Sequence, residues 1–145
     1  MYRLIYKSRS VAPLDWATVE SILHHSHANN ERNGISGFLM ATGSHFLQVL
    51  EGTFEDVNST FTRIARDPRH DQVVLLSYEV IDGRLFGDWG MKGIGVFGAN
   101  EDLSRKLIEK YGEEDGGVRF PREAWLALSL INDIRAINEL PAWKR

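Results

Sequence analysis

Gln48, Tyr6, the pair Asn29 and Asn30, and the pair Arg63 and Asp67 are the side chains with which this sequence could do chemistry. Gln48 stands in the middle of Phe46-Leu-Gln-Val-Leu50, which reads as a strand with apolar residues on both faces. A primary amide buried there needs partners, because an unpaired polar group costs on the order of 1–3 kcal/mol. It is also the neutral side chain that offers a donor end and an acceptor end and can exchange them by turning over. Tyr6 shares an apolar strand face with Leu4, so its hydroxyl needs a partner too, and Gln48 supplies one if the first and third strands are neighbours. Asn29 and Asn30 close a helix, where two amides can cap it or grip a heterocycle. Arg63 and Asp67 sit four apart on a second helix; the simple reading is an exposed ion pair worth about 0.3–0.5 kcal/mol. The functional reading is that these amides and the Arg face a flat ring with imide-type donors and acceptors.

Other motifs carry less. Gly93-Ile-Gly-Val-Phe-Gly98 matches a dinucleotide fingerprint by letter, but it falls within or just after a strand, with no helix opening from it in a βαβ unit. Of His24, His25 and His27, two share a helix face and no third metal ligand is evident, so they read as surface residues. Cysteine is absent, which excludes disulfides, thiolate nucleophiles and Cys-ligated metal sites. A chain of 145 residues, 43% hydrophobic, 26% charged and of net charge −3 reads as one globular domain, not as a nucleic-acid binder. No apolar run is long enough to span a membrane and no signal peptide is evident, so a cytoplasmic location is expected.

The elements that must position these residues follow from periodicity. Tyr2 to Lys7 alternates as a first strand. Asp15 caps a helix to about Ala28, with Val19, Ile22, Leu23 and Ser26 on one stripe and Asn29-Asn30 at its end. Phe38–Ala41 and His45–Glu51 form the next strands, and Glu55–Arg66 a second helix with Val57, Phe61, Ile64 and Ala65 inward. Gln72–Ile81 and Trp89–Phe97 complete the strands. The order β-α-β-β-α-β-β predicts an α+β ferredoxin-like split βαβ sandwich: a five-stranded mixed sheet with two helices on one face. Asn100 can cap a short helix, Glu113–Gly117 reads as a polar connector, and Pro121 suits the start of a final helix to about Leu140. That helix carries Trp125, Leu126, Leu128, Leu130, Ile131, Ile134, Ile137 and Leu140, enough to cover the free face of the sheet.

Leu4-Ile-Tyr6-Lys-Ser8, Asn29-Asn30-Glu-Arg-Asn-Gly34-Ile-Ser-Gly37, Phe46-Leu-Gln-Val-Leu-Glu-Gly52, Asp67-Pro-Arg-His70 and Trp89-Gly-Met91 resemble, in order and spacing, the BLUF family of blue-light sensors. The resemblance covers residues 1–97, expected to be a flavin-binding domain, and 98–145 is expected to be a C-terminal helical extension packed on the sheet and not a separate effector domain. Ser36 stands where Thr is more usual, and Gly90 where Ser is common.

The resemblance implies a non-covalent flavin, FAD or in some members FMN, between the two helices. Asn30, with Asn29 nearby, would bond its polar edge; Arg63, supported by Asp67, would reach a ring carbonyl; Arg69 and His70 would lie near the ring or its tail. Tyr6 would bond Gln48, and Gln48 would face the flavin. Light would draw an electron and then a proton from the phenol, and the amide would rotate or tautomerise. The change would pass to Trp89 or Met91, either of which could stand beside Gln48, and on to a separate effector protein; short members also self-associate, so a homo-oligomer is expected. The implied role is a photoreceptor without catalytic turnover. Two rivals use the same fold: a light-independent ligand-binding or protein-interaction module, in which Tyr6 and Gln48 are a satisfied core pair, and an acylphosphatase-like enzyme, disfavoured by the lack of a Gly-rich anion loop.

Overall fold

The computed structural model describes residues 1–87, 92–95 and 101–138. Its elements run β1 (Tyr2–Ser10), α1 (Trp16–Arg32), β2 (Ser36–Ala41), β3 (His45–Gly52), α2 (Phe54–Ala65), β4 (His70–Val80), β5 (Lys92–Gly95), α3 (Glu101–Tyr111), β6 (Glu113–Glu114), β7 (Gly117–Val118) and α4 (Ala124–Asn138). The first five strands join in the order β4-β1-β3-β2-β5. The pairings β1–β3, β1–β4 and β2–β3 are antiparallel, and β5 runs parallel to β2. This is an α+β sandwich consistent with the ferredoxin-like type.

Alternation along the central strands sorts their side chains into two cores. Leu4, Tyr6, Leu39, Phe46 and Leu50 face α1 and α2, where Val19 and Val57 are also fully buried. Ile5, Phe38, Met40, Leu47 and Val49 face the opposite way, against α3, β7 and α4. The α4 residues Ala127, Leu130, Ile131 and Ile134 recur at helical spacing and are at most 1% exposed, so the final helix covers the sheet as its apolar stripe predicts. Trp125 is not part of that cover and stands 72% exposed.

Local chemistry sets the helix ends. The Asp15 carboxylate accepts from the Thr18 backbone N–H at 2.8 Å and caps α1. That helix does not stop at Asn29-Asn30: it runs to Arg32, and Gly34, at φ +63°, supplies the left-handed residue that turns the chain into β2. Thr53 caps α2, and the Asp56 N–H reaches its hydroxyl at 3.2 Å. Gly52, just before it, lies where a Cβ would come within 2.8 Å of Ile35 Cδ1 and 3.3 Å of Gly34 O, so a larger residue would force the Ile35 side chain to shift.

Glu113–Gly117, read from sequence as a connector, is instead a hairpin, with Glu113 opposite Val118 and Glu114 opposite Gly117. Asp115 (φ +52°) and Gly116 (φ +84°) make its tight turn. The final helix begins at Ala124, later than Pro121 suggested. Trp89 and Met91 lie outside the described residues, and of Trp89–Phe97 only Lys92–Gly95 is described, as strand. The apparent dinucleotide motif thus starts inside β5.

Glu51, fully buried, ties the sheet to the loop after β4. Its carboxylate accepts from Arg3 Nε at 2.9 Å, from the Leu85 N–H at 3.1 Å and from the Phe86 N–H at 2.8 Å. Arg84 donates to Gly34 O, Ser36 Oγ and Glu51 O, and Arg135 of α4 donates to Leu85 O at 2.8 Å. One buried carboxylate therefore links β1, β3 and a loop on which α4 also rests.

Candidate functional site

Between α1, α2 and the sheet lies a cleft in two adjoining compartments. The smaller, of about 80 Å³, is bounded by Tyr6, Leu39, Phe46 and His70. The larger, of about 340 Å³, is bounded by His25, Asn29, Asn30, Thr60 and Arg63. Ile22, Ser26, Gln48, Ile64, Asp67 and Arg69 line both, so the two adjoin. The larger volume falls in the range that takes a drug-sized ligand.

Strand register brings the central pair together. Tyr6 lies opposite Gln48 across β1–β3, and Gln48 opposite Leu39 across β3–β2. The Tyr6 hydroxyl donates to Gln48 Oε1 in a short hydrogen bond, and both residues are 3% exposed. Because a phenol donor selects the carbonyl end of the amide, the NH₂ end of Gln48 points away from Tyr6. Burial raises the phenol's pKa well above its ordinary value, and the charge of Asp67 adds to the rise, so Tyr6 stays protonated. Phe61 and His70 hold its ring, with centroids at 5.5 and 6.2 Å.

His70 is fixed from both ends. Its Nε2 lies 2.6 Å from the Ile64 carbonyl oxygen, which can only accept, so Nε2 carries the proton. Nδ1 lies within hydrogen-bond distance of Ser8 Oγ, at 2.7 Å. An irregularity in the β1–β4 pairing near Gln72, at φ +48°, accompanies this arrangement: Lys7 lies opposite Val74 but Arg9 opposite Asp71.

The Arg63–Asp67 ion pair expected from i,i+4 spacing does not form. The helix ends at Ala65 with Arg66 as its cap, so Asp67 has left the helical register that would bring it over Arg63. Asp67 instead accepts from Arg69: Nε at 3.0 Å, Nη2 at 2.5 Å and the backbone N–H at 2.9 Å. These bonds hold the Asp67 carboxyl below the usual carboxylate range and the Arg69 guanidinium above its own. The cation fixed in both compartments is therefore Arg69; Arg63 borders the larger one alone.

Asn29 accepts from Arg32 at 2.7 Å through its side-chain oxygen. Asn30 is 3% exposed and borders the larger compartment. Thr60, 1% exposed, has a hydroxyl with no partner. Residue-by-residue reading of the sequence missed Thr60 because an apolar count over α2 skips a hydroxyl. Its spacing from Val57 and Ile64 nonetheless places it on the inward stripe, while Ala65, expected inward, is exposed. The cleft thus offers a flat apolar floor, an amide pair, an anchored guanidinium and a hydroxyl. That donor and acceptor set fits a planar heterocycle with an imide edge, as a flavin has. No described group of His, Asp or Glu could hold a metal ion, and no described helix is long and apolar enough to cross a membrane.

Comparison with known proteins agrees with this chemistry. The "Photoactivated adenylate cyclase subunit alpha" of Euglena gracilis is 39% identical over 93 residues, 62% of this chain but 9% of that protein. The corresponding beta subunit is 39% identical over 98 residues, 11% of its length, so the chain spans about a tenth of these relatives. Among solved structures, "BlrB - a BLUF protein, dark state structure" superposes with a TM-score of 0.73 at 28% identity, covering 94% of this chain and 96% of that one. "Klebsiella pneumoniae BlrP1 with FMN and cyclic diGMP" gives 0.65 at 29% identity, covering 97% of this chain and 36% of that one. The family model described as "Sensors of blue-light using FAD" matches residues 1–92, and the chain belongs to this family, BLUF.

Proposed function

We propose that the cleft holds the flavin with its imide edge toward Asn30 and Arg69, and that Tyr6 and Gln48 form the light-driven switch beside the ring. The observation that carries this is the buried hydrogen bond from Tyr6 to Gln48 Oε1 at the cleft wall. When bound, excited oxidised flavin supplies a strong one-electron oxidant. Tyr6 is the phenol placed to answer it: buried, protonated and bonded to a neutral acceptor. A phenol that loses an electron becomes strongly acidic, and its proton leaves along the bond it already makes, toward Gln48. Gln48 can then turn its amide, exchanging the end offered to the phenol and the end offered to the cleft. Asp67 serves this site through Arg69 and not through Arg63. FAD is the family's cofactor; FMN carries the same ring, and a structural neighbour is described with it.

Related proteins whose names include a cyclase carry that activity outside the segment this chain matches, so the role proposed here is sensing without turnover. We infer that the signal passes through the sheet to the α3, β7 and α4 side, and from there to a separate effector protein or a second copy of the chain. The exposed Trp125 is available for such a contact. Trp89 and Met91 keep their proposed part as relay residues. Illumination of the purified protein tests the reading: a yellow protein whose flavin band shifts reversibly to the red supports it. A yellow protein without the shift rejects the switch. A colourless, folded protein favours the light-independent binding module. Sizing in the dark and under blue light tests the output, and a single size and unchanged partner affinity in both conditions reject it.

A further inference from the structure

Thr60 is one of two fully buried residues of α2, the other being the apolar Val57. Hydroxyls inside helices ordinarily bond back to a carbonyl one turn earlier. Its neighbours do this: Ser59 donates to Asp56 O at 3.4 Å and Thr62 to Asn58 O at 2.8 Å. Thr60 Oγ1, alone among these three and the most deeply buried, has no protein partner. It borders the larger compartment, in company with Asn29, Asn30, Gln48 and Arg63. A hydroxyl at that polar end can donate to a ring carbonyl or accept from a ring N–H.

We propose that the Thr60 hydroxyl is a direct hydrogen-bonding contact to the imide edge of the flavin, and so helps set how tightly and in which orientation the ring is held. The inference rests on the flavin occupying this cleft. It explains why α2 carries a hydroxyl on its inward stripe, where an apolar residue of the same shape would otherwise be the simpler choice. Valine keeps that shape, replaces the hydroxyl by a methyl group and has similar helix propensity. Serine keeps the hydroxyl and loses the methyl group.

The test compares holoproteins in the dark. Release of FAD on dilution is followed by recovery of free-flavin fluorescence, and the imide carbonyl stretch of the bound flavin by infrared spectroscopy. Thr60→Val is expected to release FAD roughly tenfold faster, with a displaced carbonyl band, and Thr60→Ser to stay near wild type on both readouts. If Thr60→Val does not fold, Thr60→Ala against Thr60→Ser makes the same comparison. Wild-type release and an unmoved band in the hydroxyl-free variant overturn the inference. So does faster release in both the hydroxyl-free variant and Thr60→Ser with no band shift, because that pattern reports packing. A wild-type protein that binds no flavin overturns the reading of the cleft along with it.

Discussion

The two faces of the sheet bury polar groups in opposite ways. On the α4 side, charged groups are matched by the protein itself. Arg3 and Glu51 pair with each other, and Glu51 also receives two backbone N–H groups. Lys7 donates to Phe120 O at 2.9 Å, and Glu114, whose buried Oε1 makes no hydrogen bond among the described residues, is paired by charge with Lys7 at 3.9 Å and lies 3.6 Å from His45. On the cleft side the Thr60 hydroxyl is buried without a hydrogen-bond partner among the described residues, Asn30 is buried at the larger compartment, and Tyr6 and Gln48 are bonded to each other at the cleft wall. A face whose buried charges are paired within the protein holds the fold; a face whose buried polar groups line a cavity is suited to be completed by a ligand. Function and stability should accordingly respond to different residues.

The sharpest separation is expected from Tyr6→Phe. Loss of one hydroxyl should abolish the light-induced red shift, while the flavin stays bound and the packed ring remains; absorption spectra before and after blue illumination decide it. A variant that still shows the shift would remove Tyr6 from the switch. Glu51→Ala should do the reverse. It leaves Arg3 and two N–H groups buried without their partner, so unfolding in urea should show a loss of about 3–5 kcal/mol. If that variant were as stable as wild type, the contrast between the faces would fail.

Asn30→Ala should weaken flavin binding by about 1–3 kcal/mol, seen as lower occupancy after purification, with little change in the stability of the apoprotein. Full occupancy would mean that the amide is not a ring contact. The smallest effect expected is a pH slope on the α4 side. Burial lowers the pKa of His45 from its ordinary 6.5, against the opposing pull of Glu114 and with Lys7 and Arg9 adding to the fall. Its neutral form is therefore preferred in the fold. The associated stability is present above pH 6.5 and is lost as pH falls below that value toward the folded-state pKa, because the unfolded chain takes up the proton first. Denaturant midpoints measured between pH 7.5 and about 5 should fall for wild type and flatten for His45→Gln. An equal slope in both would place the titration elsewhere.

Much of this site could be read from the sequence because it rests on local periodicity. Strand alternation alone puts Tyr6 with Leu4 and Gln48 with Leu50, and one assumption about strand order makes them partners. Asp15 as a helix cap and the apolar stripe of α4 are equally local. Partner choice across the chain is a different matter. Glu51 meets N–H groups 34 and 35 residues away, and no sequence spacing announces that. Asp67 turned to Arg69 because α2 ends two residues earlier than an i,i+4 pair requires, and helix ends are decided by caps and packing more than by propensity. The short hairpin after α3 depends on left-handed backbone at Asp115 and Gly116 and on docking beside Lys7 and His45. Residue type and period thus established which side chains lie on which face. Only the folded chain decided which polar atoms found partners and which were left facing the cleft, because a hydrogen bond depends on distance and direction between atoms that the sequence separates.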